Sequence, residues 1–579
     1  MTSFIRKNPV FSVLLTAGVI LASAAAVLPE APVWITDVGN KYIIMRNFEQ
    51  TGKLAVAHPV PEAFPTGGFH FKKTPGGYRS FYPEILPVFS APLFRTGGNG
   101  AVVLIPLLSG ILLAGAVAYK FRSFTCAMLT LFAAPCAFYS LMLWEMIPAV
   151  LAGFCGVMLV RDKRFFSGGL LLGLGLFMRE ELYFLGASCG LVLLFQKEFR
   201  ALLRLGAGFL CGMLPVWLVQ YCLTGHVLGV HGATYYLNNR TGFDLKEEIT
   251  GVFWNYYQHL FRFDTDSRLL IPLILLLLCS FVKRAVPSPY PVPFREKRSI
   301  FSFLSFICPY REQSLVKEEE KTQKFKALLM IAGGCTFFPA GTFKFVSGGN
   351  FCYTAALSAG FISSLPLCWL FWANWKTLLF SGPWKNRFLA GTVIAYTLLV
   401  PPLLTRHDVG LFWGARHFLF IMPFAVFLAL KALKVMPFQK ILLWSLAAVS
   451  VIWQLCGLYA LLRVSEEADR FSRIIQSTGA QVVASDVFFL PEQTPRLFFE
   501  RDFCEVTTPR QWRAVRQYMK KKNQKELTFI TSRRWSKLTS ETRQILAQTT
   551  VPGKAFEFKS DASGFMDLIV IQLFLKERK

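Results

Sequence analysis

The sequence predicts an all-α polytopic membrane protein that carries a small α/β domain at its C-terminal end. Of its 579 residues, 53% are hydrophobic and only 17% are charged, whereas soluble domains are nearer to a quarter charged. Long apolar runs alternate with short polar junctions, as expected of helices that cross a bilayer. After residue 462 the composition becomes that of a soluble protein. A purely soluble enzyme and a disordered scaffold are both excluded.

The first apolar run covers residues 11–28 and follows Arg6 and Lys7. Its small residues at 22–26 also resemble a signal-peptide cleavage site, but we favour a retained anchor. Both alternatives place the next segment, residues 29–98, outside the cytoplasm. This segment is rich in proline, glycine and aromatic residues, and it forms a large first outer loop.

Further apolar runs bring the expected number of transmembrane helices to about thirteen, with loose boundaries where a run is short. The predicted spans after the first cover residues 101–118, 124–143, 147–160, 165–178, 182–195, 202–221, 269–282, 327–346, 353–372, 388–404, 418–430 and 441–462.

The distribution of basic residues predicts the orientation. The chain has 62 Lys and Arg against 35 Asp and Glu, a net charge of +27, and every second junction is basic. Because cytoplasmic loops collect Lys and Arg, we place these junctions and the N-terminus inside, in a cell membrane. The basic loop 283–326 is then a cytoplasmic linker. Anionic membrane lipids account for the positive charge, so we expect no nucleic acid partner.

The same orientation places the last segment outside. Residues 1–462 form the membrane domain, and residues 463–579 form an extracytoplasmic α/β domain. In the second domain the pattern predicts strands at 481–485, 527–531 and 565–574, and helices at 510–521 and 540–548.

Polar groups at the outer membrane surface are the candidates for chemistry, because burying them is expensive. Asp37 comes just after the first span, ahead of a short amphipathic stretch that Gly52 would end. One interpretation makes it a functional acid, and the other makes it the N-cap of an interfacial helix.

The rest of the first loop and four further groups fall on the same side. The first loop continues with Lys72, Arg79 and Tyr82 among aromatic residues, which suits either an anionic head group or an interfacial aromatic belt. The four further groups are Glu145, then Arg179 with Glu180 and Glu181, then His231 with the nearby His226, and the stretch 406–417 that contains Arg416 and His417. Helix capping, a bare turn or solvated surface would explain several of them equally well, and two histidines are weak evidence for a metal.

Several classes of site are missing from the sequence. It contains no Walker A loop, zincin helix or nucleophile elbow, which disfavours an ATP-driven pump. The 13 cysteines form no Cys-x-x-Cys pair, so neither a zinc site nor a disulfide framework is indicated.

Together these residues resemble the GT-C superfamily of membrane glycosyltransferases, which use polyprenyl-phosphate sugars and include protein mannosyltransferases and aminoarabinose transferases. The resemblance rests on Asp37 with the Gly52-ended helix, and on the motifs that we list here: Ser80-Phe81-Tyr82-Pro83-Glu84-Ile85-Leu86-Pro87, Phe138-Tyr139-Ser140 ahead of Trp144-Glu145, Gly225 to His231, and Trp413-Gly414-Ala415-Arg416. Many relatives carry two neighbouring acids in the first loop, but here Asp37 has no acidic neighbour.

The resemblance implies transfer of a sugar from a polyprenyl-phosphate donor to a hydroxyl of a lipid, glycan or protein acceptor. Asp37 would act as the general base with inversion at the sugar carbon, and Arg179, Arg79, Lys72 or Arg416 would bind the donor phosphate. Glu145, His231, Tyr82 and Glu180 are the other candidate site residues. No cofactor is certain, and a divalent metal stays open. The alternatives are a lipid-linked sugar flippase or transporter and a non-catalytic envelope assembly factor.

Overall fold

A computed structural model gives a mostly helical chain with a sheet-containing C-terminal part. It describes residues 8–29, 36–64, 70–74, 76–228, 361–380, 382–403, 415–433, 439–487, 490–532, 536–558 and 568–576. The predicted spans 269–282 and 327–346, the linker 283–326 and His231 lie outside these residues.

The N-terminal half contains ten described helices and one hairpin. They are α1 (Pro9–Val27), α2 (Thr36–Thr51), the hairpin strands β1 (Phe71–Thr74) and β2 (Gly77–Ser80), α3 (Ile85–Gly97), α4 (Leu104–Phe121), α5 (Phe124–Phe132), α6 (Cys136–Ser140), α7 (Met146–Arg161), α8 (Phe165–Gly175), α9 (Glu181–Phe195) and α10 (Phe199–Thr224).

The remaining helices before the sheet begin after residue 360. They are α11 (Phe361–Ser364), α12 (Cys368–Phe380), α13 (Trp384–Leu403), α14 (Met422–Leu433) with the 3-10 segment Arg416–Ile421 before it, and α15 (Gln439–Ser477).

Among the described residues, five segments are long and apolar enough to cross a membrane: α1, α4, α10, α14 together with its 3-10 segment, and the 443–477 part of α15. Helices α7, α8 and α9 are apolar but shorter. The number of spans expected from the sequence therefore stays a prediction.

Three predicted spans differ from the helices that form. The run 124–143 is broken into α5 and α6, and Pro135 occupies the N-cap position of α6; proline lacks the amide donor of a helix interior and its ring crowds the preceding turn, which favours a break here. The run 353–372 is interrupted at Pro366, after which α12 continues to Phe380. Residues 416–421 form a 3-10 segment rather than the start of an α-helix.

The last predicted span, 441–462, is also too short, because α15 continues without a break to Ser477. Its second half is polar, and Arg463 pairs with Glu466 one turn later. Helix formation does not require apolar residues, so the change in composition at residue 462 does not mark the end of the helix. The domain boundary expected at 462/463 thus falls inside α15.

Glycines bring α8 and α10 into close contact. A Cβ atom at Gly208 would overlap the carbonyl oxygen of Phe166, and one at Gly169 would overlap that of Leu205. Gly173 and Gly212 face each other one turn further along. This spacing of small residues four apart allows two backbones to approach without intervening side chains.

The first loop contains α2, the β1–β2 hairpin and α3. Helix α2 ends at Thr51, and Gly52 follows with a φ of +67° and donates its amide to the Phe48 carbonyl. This is the helix end that the sequence predicts. The hairpin, which the sequence analysis did not predict, joins Phe71 to Ser80 in antiparallel register.

The C-terminal part is a five-stranded mixed sheet in the order β4-β3-β5-β7-β6. Its elements after α15 are β3 (Val482–Ser485), α16 (Leu490–Gln493), α17 (Leu497–Glu500), β4 (Asp502–Glu505), α18 (Pro509–Lys521), β5 (Glu526–Ser532), α19 (Ser540–Thr549), β6 (Thr550–Phe558) and β7 (Leu568–Leu575). The three strands and two helices predicted here are present; β4 and β6 were not predicted.

Helix α2 contributes to two hydrophobic cores. Val38, Tyr42 and Met45 pack into the core of the membrane helices. Ile43 and Ile44, both fully buried, pack into a core shared with the C-terminal sheet. Two charged residues of the same helix, Asp37 and Lys41, are also buried, at 5% and 1% exposure.

Candidate functional site

Asp37 lies in the first turn of α2 and is 5% exposed. Its Oδ2 atom is 3.4 Å from Nη1 of Arg416, which begins the 3-10 segment before α14. The two residues are 379 positions apart in the sequence. Folding thus joins the predicted acid to one of the four predicted phosphate-binding cations.

The contact continues through His417. Nε of Arg416 donates to Nε2 of His417 at 3.2 Å, and Nδ1 of His417 is 3.0 Å from Oε1 of Glu181. Since Nε2 accepts a hydrogen bond, the proton of a neutral imidazole is on Nδ1, from which it is donated to Glu181. His417 therefore links Arg416 to Glu181.

Arg179 joins two of the acids. Its Nε donates to Glu181 at 2.9 Å, and its Nη1 donates to Glu145 at 3.0 Å. Glu145 is fully buried, and its other oxygen lies 3.2 Å from Nζ of Lys41. Nζ of Lys41 is also 4.4 Å from the centre of the Tyr82 ring, a cation–π contact.

These contacts form a buried chain of charged and polar side chains from Lys41 to Asp37, and its two ends lie on α2, where the positive charge of Lys41 acts on Asp37; we call the whole set the charge ring. Its members are Asp37, Lys41, Glu145, Arg179, Glu181, Arg416 and His417. It contains three carboxylates and three permanent cations, so its formal charges cancel. Burying a charge costs free energy, and here the pairing of each acid with a cation offsets that cost.

Three helices begin at the charge ring, and an acid lies at the start of each. Asp37 is in the first turn of α2, Glu145 occupies the N-cap position of α7, and Glu181 begins α9. A helix N-terminus carries a partial positive charge. The centre therefore combines three cations with three positive helix ends.

Asp37 is held in its ionised form. Burial by itself would raise its pKa, but the positive charges of Lys41 and Arg416 outweigh the burial. A hydrogen bond with Tyr82 acts in the same direction, and the pKa of Asp37 lies below its ordinary value.

The hairpin is attached to α2 beside this acid. Ser80 Oγ donates to Asn40 Oδ1 at 2.6 Å, and Asn40 Nδ2 donates to the His70 carbonyl at 3.2 Å. Nδ1 of His70 lies 3.0 Å from the Tyr82 hydroxyl. Burial lowers the pKa of His70, so the imidazole is neutral at pH 7.

The other predicted residues lie around the charge ring rather than in it. Arg79 pairs with Glu84 and donates to the Leu223 carbonyl. Lys72 is exposed on β1. Glu180 faces a groove beside the ring, and Tyr82 lies between that groove and Asp37.

The groove has a volume of about 100 Å³ and lies between the hairpin and the C-terminal end of α10. Its walls are mostly apolar, and Glu84, Glu180 and Gln220 add polar groups. The apolar lining includes Ile85, Val88, Phe177, Val219 and Leu223.

The described residues do not fit a resident metal ion. They contain no group of three or more His, Cys, Asp or Glu side chains close enough to share one. The three acids of the charge ring already face Arg416, Lys41 and Arg179.

The sequence motifs include Glu181, beside Arg179, and His417, beside Arg416, but sequence reasoning assigned no role to these two residues or to Lys41. Lys41 follows Asp37 by four residues, a spacing that places both on one face of a helix. That spacing was a usable signal. Nothing in the local sequence indicates that Glu181 and His417 meet, because 236 residues separate them.

Comparisons with known proteins gave matches among solved structures alone. No protein-family model matches the chain, and no curated protein matches it by sequence. The chain is similar to ArnT from Cupriavidus metallidurans bound to undecaprenyl phosphate, with 12% identity, 98% of both chains covered and a TM-score of 0.42. It is also similar to the apo state of that protein, with 13% identity, 97% of both chains covered and a TM-score of 0.44.

A third similar structure is the archaeal oligosaccharyltransferase AglB from Archaeoglobus fulgidus, in complex with an inhibitory peptide and a dolichol-phosphate. The identity is 12%, the TM-score is 0.44, and the match covers 91% of this chain and 70% of AglB.

Proposed function

We propose that the chain is a membrane glycosyltransferase that moves a sugar from a polyprenyl-phosphate donor to an acceptor hydroxyl at the outer face of the membrane. The observation that carries the proposal is the position of Tyr82. This side chain contacts the ionised Asp37 and Lys41, and it also lines the apolar groove. A base, a cation and a place for a lipid therefore adjoin one another.

In the proposed reaction Asp37 is the general base. The acceptor oxygen attacks the anomeric carbon of the sugar, and its proton moves to the Asp37 carboxylate. The bond between the anomeric carbon and the phosphate oxygen breaks, and the electron pair leaves with the polyprenyl phosphate. Attack opposite the leaving group inverts the anomeric carbon. A carboxylate whose pKa is lowered is available as a base even in mildly acidic surroundings.

The cations of the site have different roles in this proposal. Arg416 and Lys41 flank Asp37 and are placed to face the charge that develops on the departing phosphate. Arg179 is already bound by two carboxylates, so we assign it to holding the charge ring together. Arg79 lies at the groove through its partner Glu84, where a lipid phosphate would pass.

The groove suits the lipid part of the donor. Its walls are mostly apolar, and it opens beside α10, whose outward face exposes Leu210, Leu214 and Leu218. A polyprenyl chain gains free energy when its methylene and methyl groups leave water for such surfaces. The acceptor would approach Asp37 from the side of the first loop.

The test compares envelope glycolipids, by mass spectrometry, in cells that lack the protein and in cells that produce the wild type or Asp37→Asn. General-base catalysis contributes about 10²–10⁴-fold in rate. We therefore expect the sugar-bearing product to fall by at least that factor per unit of folded protein in Asp37→Asn, with the folded yield in detergent measured alongside because Asp37 also belongs to the charge ring. Asp162→Asn is the matched control, because Asp162 follows the last residue of α7, at the end away from the charge ring. This variant is expected to keep the product.

Two results would count against the proposal. Normal product with Asp37→Asn removes Asp37 from the mechanism. If the reconstituted protein moves a lipid-linked sugar from one leaflet of a vesicle membrane to the other without forming a new glycosidic bond, the protein is a flippase instead.

A further inference from the structure

The C-terminal part of the chain touches α2 two residues after Asp37. A Cβ atom placed on Gly39 would overlap the carbonyl oxygen of Glu492 and would lie 2.8 Å from its Cα. Glu492 belongs to α16, the short helix after β3. The two backbones are therefore in direct contact, which only glycine at position 39 permits.

This contact is part of a buried interface. Leu490, Glu492 and Gln493 of α16 are each at most 3% exposed. One turn beyond Gly39, the side chains of Ile43 and Ile44 enter the same core as Leu490. The interface thus fixes α2 by backbone contact at its first turn and by side-chain packing at its second.

The first turn of α2 also carries Asp37, whose contact with Arg416 is 3.4 Å long. A shift of about 1 Å in a catalytic group can lower a rate by about 10²-fold. We propose that α16 is a positioning element of the site, and that Asp37 reaches its working position only when the C-terminal domain is packed against Gly39.

The charge of Glu492 is compatible with this position. Both of its carboxyl oxygens are buried without a hydrogen-bond partner among the described residues. Burial, together with the negative charges of Glu505 and Asp37, raises its pKa well above the ordinary value. The raised pKa favours the uncharged form of Glu492, which costs less free energy to bury than the carboxylate.

The inference rests on the proposed glycosyl transfer, and its first test is kinetic. In Gly39→Ala the new methyl group separates α2 from α16. We expect kcat to fall by about 10²-fold with little change in KM for the polyprenyl-phosphate sugar that the glycolipid comparison identifies. Gly18→Ala in α1 is the matched control, because a Cβ there meets only Ile111 Cδ1, at 3.9 Å. That variant is expected to keep wild-type kcat.

The second test needs no activity. A cysteine introduced at Gln493, which is 3% exposed, reports on the interface through its rate of alkylation, read by mass spectrometry of its peptide. We expect slow alkylation in an otherwise wild-type chain and faster alkylation when Gly39→Ala is added. Leu490→Ala loosens α16 without changing α2, and it is expected to raise the alkylation rate and lower kcat as well.

The outcomes separate the two proposals. Unchanged alkylation in Gly39→Ala overturns the contact, and faster alkylation with wild-type kcat overturns the positioning role. If wild-type cells make no sugar-bearing product, the transferase proposal fails, while the alkylation rates still decide whether Gly39 holds the domain.

Discussion

At the scale of single residues, the charge ring is the feature on which the site depends. Its acids and cations come from four separate segments of the chain, and nearly all of their side chains are buried. An ion in such a place is tolerated while its partner is present and is costly when left alone. The ring therefore stabilises the folded state only as a complete set.

Glu145→Gln tests this dependence. The substitution leaves Lys41 and Arg179, whose contacts to Glu145 are 3.2 Å and 3.0 Å, facing a neutral amide. Removing one partner of a buried pair costs about 3–5 kcal/mol. We expect a loss of that size in the free energy of unfolding, measured by denaturant titration in detergent.

Asp162→Asn is the control for that measurement. Asp162 pairs with Lys120 at 3.0 Å, but both side chains are about 30% exposed. Partly exposed pairs contribute about 0–1 kcal/mol. Equal losses in the two variants would show that the charge ring has no special stability.

At the scale of elements, helices α2, α7 and α9 all begin at the charge ring. Close contacts at glycines hold α8 against α10, and these two helices position the turn that precedes α9. Helix α9 begins at Glu181, directly after α8 and the turn that carries Arg179. Helix α8 is in turn packed on α10 through Gly169, Gly173 and their partners. The position of Arg179 therefore depends on how closely α8 and α10 approach.

Gly208→Ala tests the approach of α8 and α10. A Cβ at Gly208 would overlap the carbonyl oxygen of Phe166 and would lie 3.0 Å from the amide nitrogen of Leu170. Overpacking of this kind costs about 1–3 kcal/mol, and we expect that loss in the free energy of unfolding.

Gly206→Ala, in the same helix, is the matched control because a Cβ there meets nothing within 4 Å. Alanine is the better helix former by about 1 kcal/mol, so this variant should be no less stable than the wild type. If both alanines have the same effect, the close packing of α8 on α10 is not required.

At the scale of the whole molecule, the two ends of the helical part differ in chemistry. Helix α7 begins at the charge ring, next to Glu145, and ends at Arg161. The next residue, Asp162, forms ion pairs with both Lys120 and Lys385. The 16 residues of α7 separate these ends by about 24 Å. The basic end is the one that the sequence places in the cytoplasm.

Cysteine labelling in intact cells checks that orientation. We expect a membrane-impermeant maleimide to label a cysteine at the exposed Lys72 at once. A cysteine at the exposed Lys197 should be labelled only after permeabilisation. The peptide carrying each position is identified by mass spectrometry, which separates it from native cysteines such as Cys211. The opposite pattern would put Asp37 in the cytoplasm and end the proposal of an outer-face transferase.

The sequence by itself determined the features that depend on local pattern. Apolar runs gave most helix positions, Gly52 ended α2, and charge bias gave an expected orientation, because each of these depends on neighbouring residues and on the solvent around them. The same local evidence misjudged the break at Pro135 and the length of α15.

Only the tertiary structure decided which residues meet. The pairing of Asp37 with Arg416, the bridge from Glu181 through His417, and the contact of Gly39 with Glu492 each join segments that are far apart in the chain. No local pattern encodes such a pair, because its free energy exists only after helices have packed and water has been removed. The candidate residues could be named from the sequence, whereas their assembly into a buried ring, with α16 against α2, required the fold.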